Sequence, residues 1–350
     1  MYKIVSLAQV ANADWNAFVD SSDEAWLWHR YELIKILEKW PGRSDRSFAV
    51  LESSTNEILA ILPLHLVKST KVKLISLQTL SSLGGPALKN DLGEKHSQKI
   101  SDVIMDELVK ISKREKVMQI DFFLSPMSPA YRGENYPKVN PLLQIGATNT
   151  LTQVYVLDLQ IGKQNIWQNF EKRARNAVRK AESLKVTVRS ANKTGDLETY
   201  YYLHQTTYRR TGVNSHPFEY FEGIWRDFYS KGLAYIIFAE LDGEPVAAES
   251  FGIYKNAAIY WTGASNEKGL ALNANSLLQW TAINHFIDSE IKYYEIGQAF
   301  PEEISGKKSG LDHFKRSFGG QLYPYFSGRI ISRKMLYALY SFFNTFRKRL

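Results

Sequence analysis

Residues 234–254 read AYIIFAELDGEPVAAESFGIY. Two apolar runs, Ala234 to Leu241 and Pro245 to Tyr254, flank Asp242-Gly243. Asp-Gly suits the positive-φ corner of a two-residue turn, so the stretch reads as a β-hairpin. Working outward, Ala257 to Gly263 adds a strand, Leu272 to Ser289 is periodic as a helix, and Tyr293 to Ile296 is a short strand. Upstream lie an alternating strand, Thr152 to Leu159, and a basic helix, Asn165 to Ser183. The strand Val186 to Arg189 and the helices Asp196 to Arg210 and Pro217 to Lys231 complete the half. The earlier half repeats the plan. A short helix behind Asp14 and a helix from Trp26 to Trp40, stopped by Pro41-Gly42, precede the strands Ser47 to Glu52 and Ile58 to Lys68. The tight loop Leu83-Gly84-Gly85-Pro86, a helix from Ser97 to Lys113 and a strand from Val117 to Leu124 follow. Both halves read helix, helix, hairpin, helix, strand, a repeat carried by architecture more than by sequence. The Pro-rich run Pro126 to Pro141 is a surface loop near the boundary. The expectation is an α/β fold with mixed sheets of the α+β kind. It has two lobes, 1–150 and 151–328, with a cleft between them, and a basic amphipathic segment, 329–350.

A length of 350 residues favours about two domains, and 44% hydrophobic with 23% charged residues is the balance of a globular chain. Without cysteine the chain has no disulfide framework, thiolate metal site or Cys nucleophile. The seven histidines do not cluster at ligand spacing, so no metal is expected. A net charge of +8 favours anionic partners such as nucleic acid, phosphate-bearing substrates or anionic lipid. A general solubility charge accounts for it equally. Met1 to Asp20 lacks an apolar secretory core, and no run approaches the roughly 20 apolar residues that span a bilayer. These absences suggest a cytoplasmic protein, soluble or peripheral at the inner membrane face. Peripheral contact would come through 329–350, where Ile330, Leu336, Leu339 and Phe343 alternate with Arg333, Lys334 and Arg347. Packing of that tail on the first lobe is the other reading.

Four polar features stand out from this frame. Residues 171–180 read EKRARNAVRK, placing Lys172, Arg175 and Arg179 on one helical face. That face suits the phosphates of RNA or of a nucleotide-linked sugar, although a solvated helix face has the same composition. Tyr208, Arg209 and Arg210 end a tyrosine-rich helix before Gly212, where guanidinium forks can clamp phosphate or carboxylate. Cations at a helix C-terminus are also favoured by the dipole alone. Gly269, Asn273 and Asn275 lie between a strand and a helix, where backbone N–H groups hold phosphate or an Asn caps the helix. Most specific is Tyr294-Glu295-Ile296-Gly297-Gln298, followed by Gly310-Leu311-Asp312-His313-Phe314-Lys315-Arg316-Ser317-Phe318-Gly319-Gly320. Phe314 and Phe318 can anchor this segment while Lys315 points into a cleft to stabilise an oxyanion. A snorkelling surface lysine is the alternative.

These residues resemble the FemAB family over nearly the whole chain. The likeness rests on Trp26-Leu27-Trp28-His29, Leu62-Pro63-Leu64, Leu83-Gly84-Gly85-Pro86, the basic run Lys172 to Ala181, Asn275 to Trp280, and Phe314-Lys315 to Gly319-Gly320. It implies two tandem GNAT-like lobes and transfer of an amino acid from aminoacyl-tRNA to an amine of a peptidoglycan precursor. Relatives act in surface polysaccharide gene sets. Lys315 would then face the reacting carbonyl, Tyr208, Arg209, Arg210 and Gln298 would lie near an anionic acceptor, and Trp28, His29 and Arg30 would help hold that acceptor. In GNAT enzymes the Gly269 to Asn275 junction cradles the pyrophosphate of coenzyme A, but here only Gly269 and Ala271 match the usual glycine pattern. The helical-hairpin arm of some members is not evident. The donor is therefore aminoacyl-tRNA or acyl-CoA, with no bound cofactor, and the acceptor is an anionic small molecule or lipid-linked precursor. Direct attack of the amine needs proximity, oxyanion stabilisation and a base. Glu249 and His313 are the candidates for that base, each with a purely structural alternative. Two other functions stay open: an acyl-CoA-dependent N-acyltransferase of amino sugars, and a non-catalytic module that binds RNA or another anion.

Overall fold

The computed structural model describes residues 1–69, 77–150, 152–302 and 305–347. The backbone divides into two units, Met1–Leu151 with Tyr325–Leu350, and Thr152–Pro324.

The first unit holds two sheets. One is antiparallel, in the order Tyr2–Ser6, Phe48–Glu52, Ile58–Leu62, Ala87–Leu88. The other runs Arg43–Asp45, His65–Ser69, Leu77–Leu83, Gln119–Phe123, Ser327–Ile331, Thr148–Asn149. The chain passes from one sheet to the other at Pro63, which has no N–H for a ladder. Its carbonyl instead accepts from Ser82 Oγ at 2.6 Å, and Leu64 N–H donates to Ser47 Oγ at 2.9 Å. The helix Glu94–Arg114 buries Ile100, Ile104, Leu108 and Ile111, a single apolar stripe. It forms the crossover between Leu77–Leu83 and Gln119–Phe123, which pair in parallel from Thr79↔Gln119 to Leu83↔Phe123. On its other side Gln119–Phe123 is covered by Ser327–Ile331, from the far end of the chain.

The second unit is one seven-stranded sheet, in the order Thr187–Ser190, Ala234–Leu241, Glu244–Tyr254, Ala257–Ser265, Tyr293–Gln298, Thr152–Asp158, Gln321–Tyr325. The expected hairpin is there, with Asp242 and Gly243 both at positive φ. Helices Lys172–Ser183 and Ala274–Asp288 bury Val178, Ala181, Leu278 and Phe286 in one core with Phe251 and Tyr294. Ser250 and Glu249 are consecutive in a strand and so point to opposite faces. Ser250 meets Tyr200 of helix Asp196–Thr211, and Glu249 meets Gln279 of helix Ala274–Asp288. Helices thus cover both faces.

Several elements differ in detail from the sequence expectation. The helix read over Trp26 to Trp40 is a 3-10 turn, Leu27–His29, and a shorter helix, Tyr31–Leu37. Arg30 is non-helical (φ −58°, ψ 136°), and His29 Nδ1 takes the Trp26 N–H at 3.1 Å. The helix read over Asn165 to Ser183 breaks at Phe170, which turns inward against Trp280 and Phe318. The helix read over Leu272 to Ser289 starts at Ala274, behind Asn273 at φ +57°. The loop read over Pro301 to Gly310 lies partly outside the described residues, and its latter part opens the helix Gly306–Arg316. The tail begins as the strand Ser327–Ile331 before the helix Lys334–Arg347.

Candidate active site

The two parallel strands of the second unit, Ala257–Ser265 and Tyr293–Gln298, are hydrogen-bonded in register only from Ala257↔Tyr293 to Ile259↔Glu295. Beyond that their ladders run to other neighbours: Ala257–Ser265 stays paired with Glu244–Tyr254, and Tyr293–Gln298 with Thr152–Asp158. The sheet is therefore split at the C-terminal ends of these strands, and polar side chains collect beside the split.

Glu249 lies opposite Gly263. A Cβ at Gly263 would sit 1.7 Å from the Tyr260 hydroxyl, so glycine is what lets the Tyr260 phenol lie across the strand and bond Glu249. Asn275 Nδ2 and Gln279 Nε2 also donate to this carboxyl, at 3.2 and 2.8 Å. Tyr294 O–H donates to Gln279 Oε1 at 2.7 Å and extends the chain. Glu249 is fully buried, and burial raises its pKa to about 8 against the opposing pull of these hydrogen bonds. At neutral pH it is mostly protonated. A sealed carboxyl cannot take a proton directly from an amine in solvent. On the opposite face Tyr200 O–H lies 2.6 Å from Thr262 Oγ1, which is 2.9 Å from Ser250 Oγ.

Lys315 stands in the last turn of helix Gly306–Arg316. Its Nζ donates to the Gln298 carbonyl at 2.9 Å and lies 5.5 Å from the centre of the Phe300 ring. Burial lowers its pKa, while Glu295 and Asp312 support the charged form. Glu295 is raised to about 7, mainly by burial, with Lys315 pulling the other way. Asp312 accepts from Phe300 N–H at 2.7 Å and from Tyr155 O–H at 3.1 Å, and burial beside that carboxylate lifts the phenol to about 12. An ammonium, two carboxyl groups and a phenol thus gather at the free end of Tyr293–Gln298. An ammonium has three donors. Those not used on Gln298 suit an oxyanion forming there.

The remaining candidates divide sharply. Gln298 joins Lys315 through its carbonyl, and its side chain is exposed. Asn275 joins Glu249. Arg210 donates to the Ser265 carbonyl at 2.9 Å, at the C-terminal end of the split strand, with Arg209 exposed beside it. Tyr208 instead packs on His204 at 3.9 Å between ring centres. His313 does not join the Lys315 amine. Residues two apart on a helix point to different sides, and His313 Nδ1 accepts from Arg316 on the exposed face. Of the basic helix, Arg175 caps the Gln168 and Phe170 carbonyls, Arg179 lies over Trp167 and Lys172 is exposed. Arg175 is thus engaged in holding the helix break, while Lys172 and Arg179 remain exposed. A Cβ at Gly269 would come within 2.3 Å of the Val246 carbonyl, so close packing accounts for this glycine. Asn273 supplies the positive-φ corner before Ala274–Asp288. In the first unit His29 is sealed between Trp26 N–H and the Gly85 carbonyl, Trp28 packs edge-on to Trp26, and Arg30 pairs with Asp20 and Glu32. These three hold their own loop.

Sequence reasoning missed Tyr260, Gln279, Tyr294, Glu295, Asp312 and Tyr155. One signal was available. Asn275 and Gln279 are four apart on a helix rich in apolar residues, so they share one face and can satisfy one buried polar partner.

Comparison with known proteins bears on the fold of this unit. Residues 168–316 match the acetyltransferase (GNAT) domain family. The second unit is a GNAT acyltransferase domain. The whole chain superposes on FemX with a TM-score of 0.70 at 16% identity, covering 96% of this chain and 99% of FemX. It also superposes on a tandem GNAT protein from the clavulanic acid biosynthesis pathway (TM-score 0.56, 9% identity, 95% and 98% of the two chains). L-PGS from Bacillus licheniformis is a third likeness (TM-score 0.54, 12% identity, 90% of each chain). These likenesses are of fold. By sequence alone, no curated protein matches the chain. The fold is that of a GNAT acyltransferase, and Lys315 stands at the open strand end of the second unit.

Proposed function

We propose that the protein is an aminoacyltransferase that acylates an amine of an anionic cell-envelope precursor. The observation that carries this reading is the Lys315 ammonium held at the split in the sheet. The acceptor nitrogen attacks the ester carbonyl of the donor. An N–C bond forms, the C–O bond to the donor's ribose breaks, and the proton lost by the amine goes to the departing oxygen. Lys315 stabilises the intermediate oxyanion, Glu295 and Asp312 keep it charged, and Arg210 and Arg209 attract the anionic acceptor. No covalent enzyme intermediate is required.

The turn before helix Ala274–Asp288 favours an ester donor over a thioester. N–H groups of Gly269, Leu270, Leu272, Asn273 and Ser276 are already donated within the chain. Few therefore remain for a pyrophosphate. The net charge of +8 suits a polyanionic donor. The GNAT match keeps an acyl-CoA donor as the second reading. The test uses labelled aminoacyl-tRNA and labelled acyl-CoA with a panel of peptidoglycan precursors and amino sugars, wild type beside Lys315→Ala. Transfer from charged tRNA that Lys315→Ala abolishes is the expected result. Transfer from the thioester alone would establish the second reading. No transfer from either pool would favour a binding module.

A further inference from the structure

Away from the catalytic unit, the first unit carries a groove of about 650 Å³ between helix Glu94–Arg114 and the strand Ser327–Ile331. Its walls are apolar: Met105, Leu108, Val109, Ile120 and Ile330. Lys113, Lys116 and Arg333 line it as well, and no acidic residue does. Ser112 also lines the groove, and its buried Oγ has no hydrogen-bond partner. A buried hydroxyl in that condition is costly unless something bound there satisfies it.

The chain leaves the groove at Arg333 directly into helix Lys334–Arg347. Tyr337 holds one side of this helix to the body, where its hydroxyl accepts from Arg329 NH1 at 3.2 Å and Arg329 is paired with Asp121. The side turned away carries Met335, Ala338, Leu339 and Phe342, all exposed. Their spacing is the i, i+3, i+4, i+7 of a continuous apolar stripe. Met335 is 90% exposed and Phe342 59%. From Gln321 to Leu350 the sequence has six cations, Arg329, Arg333, Lys334, Arg347, Lys348 and Arg349, and no Asp or Glu. An anionic lipid surface satisfies both the exposed stripe and the charge.

We infer that this end of the first unit is a docking surface for anionic phospholipid. Helix Lys334–Arg347 lies in the headgroup plane with Met335, Leu339 and Phe342 downward. One acyl chain enters the groove, with its ester oxygen at Ser112 and its phosphate at Lys113, Lys116 and Arg333. The inference is independent of the catalytic reading, since it uses none of the same residues.

The test is co-sedimentation of the full chain with phosphatidylglycerol or phosphatidylcholine vesicles. Binding at least tenfold tighter to phosphatidylglycerol, weakening with added salt, is expected. The double substitution Met335→Asp with Leu339→Asp changes only exposed positions and should lower that binding at least tenfold with an unchanged melting temperature. Val109→Trp obstructs the groove from its half-exposed rim and should weaken binding about threefold or more. Equal affinity for the two vesicle types, or full binding by the double variant, would overturn the docking surface. Full binding by Val109→Trp would overturn the groove as an acyl-chain site.

Discussion

Each unit contains a strand, a crossover helix and a second strand parallel to the first, but only one of these pairs comes apart. In the first unit the pair stays hydrogen-bonded to its end at Leu83↔Phe123, and Gly84 N–H adds one more bond to the Phe123 carbonyl. In the second the pairing stops at Ile259↔Glu295, with six residues of one strand and three of the other still to run. A closed ladder satisfies its own backbone to the ends of both strands. An open one creates strand ends where side chains can reach a substrate. The polar inventory follows: Glu249, Tyr260, Glu295, Lys315 and Asp312 gather where the pair opens. The buried histidines of the closed unit are tied to backbone, His29 to Gly85 and His65 to Ile34.

The strongest way to break this comparison is to remove the ammonium at the open pair. Lys315→Ala should lower kcat by about 10²- to 10³-fold, the usual consequence of losing one oxyanion donor. A loss below tenfold in the transfer assay would take Lys315 out of the chemistry. The closed unit supplies the control: Arg30→Gln should leave kcat within about twofold once stability is matched, since its guanidinium serves Asp20 and Glu32.

Next in size is a pH effect on stability. In the unfolded chain the Glu249 carboxyl titrates near 4.5, and in the folded protein near 8. Between those values the folded state binds more protons, so the stability contribution is full below about pH 4.5 and is lost as pH rises through about 8. The expected fall is on the order of a few kcal/mol. Glu24 and Glu295, both raised to about 7 by burial, slope the same way. Glu249→Gln should therefore lower the slope from about pH 4.5 to 8 and leave the segment from about pH 7 to 8, where Glu24 and Glu295 no longer contribute, nearly flat in urea titrations. An unchanged slope there would mean the carboxyl is already ionised in the fold.

A smaller effect tests what keeps the Tyr260 phenol in place. Gly263→Ala puts a methyl where that hydroxyl lies and should cost about 1–3 kcal/mol by overpacking. Melting temperature checks it. No change would show that the phenol has another resting place and that its bond to Glu249 is dispensable.

Much of this frame was legible in the sequence because it depends on local rules. Asp242-Gly243 marks its hairpin through backbone conformation alone, and the stripe from Ile100 to Ile111 marks its helix by periodicity. The inward placement of Lys315 was legible because aromatic anchors and a Gly-Gly turn surround it. Its neighbours were not. Glu295 and Asp312 are seventeen positions apart and meet at Lys315 only through the return of helix Gly306–Arg316 to the sheet. One cation of the basic run has a partner that was hidden for a related reason. Arg175 looks like a phosphate ligand, but the break at Phe170, driven by packing on Trp280 and Phe318, leaves carbonyls that Arg175 caps. Charge patterns do not reveal partners that tertiary packing creates.

The strand Ser327–Ile331 also bears on the order of synthesis. Gln119–Phe123 leaves the ribosome about two hundred residues before the segment that covers its open edge. Thr152–Pro324 is contiguous and can fold as it emerges. The first half to be translated is thus the last to be finished, and until then it presents an unpaired strand edge, the feature that chaperones shield and aggregates recruit. Truncation just before Ser327 should therefore harm the N-terminal half most, although every residue removed is C-terminal.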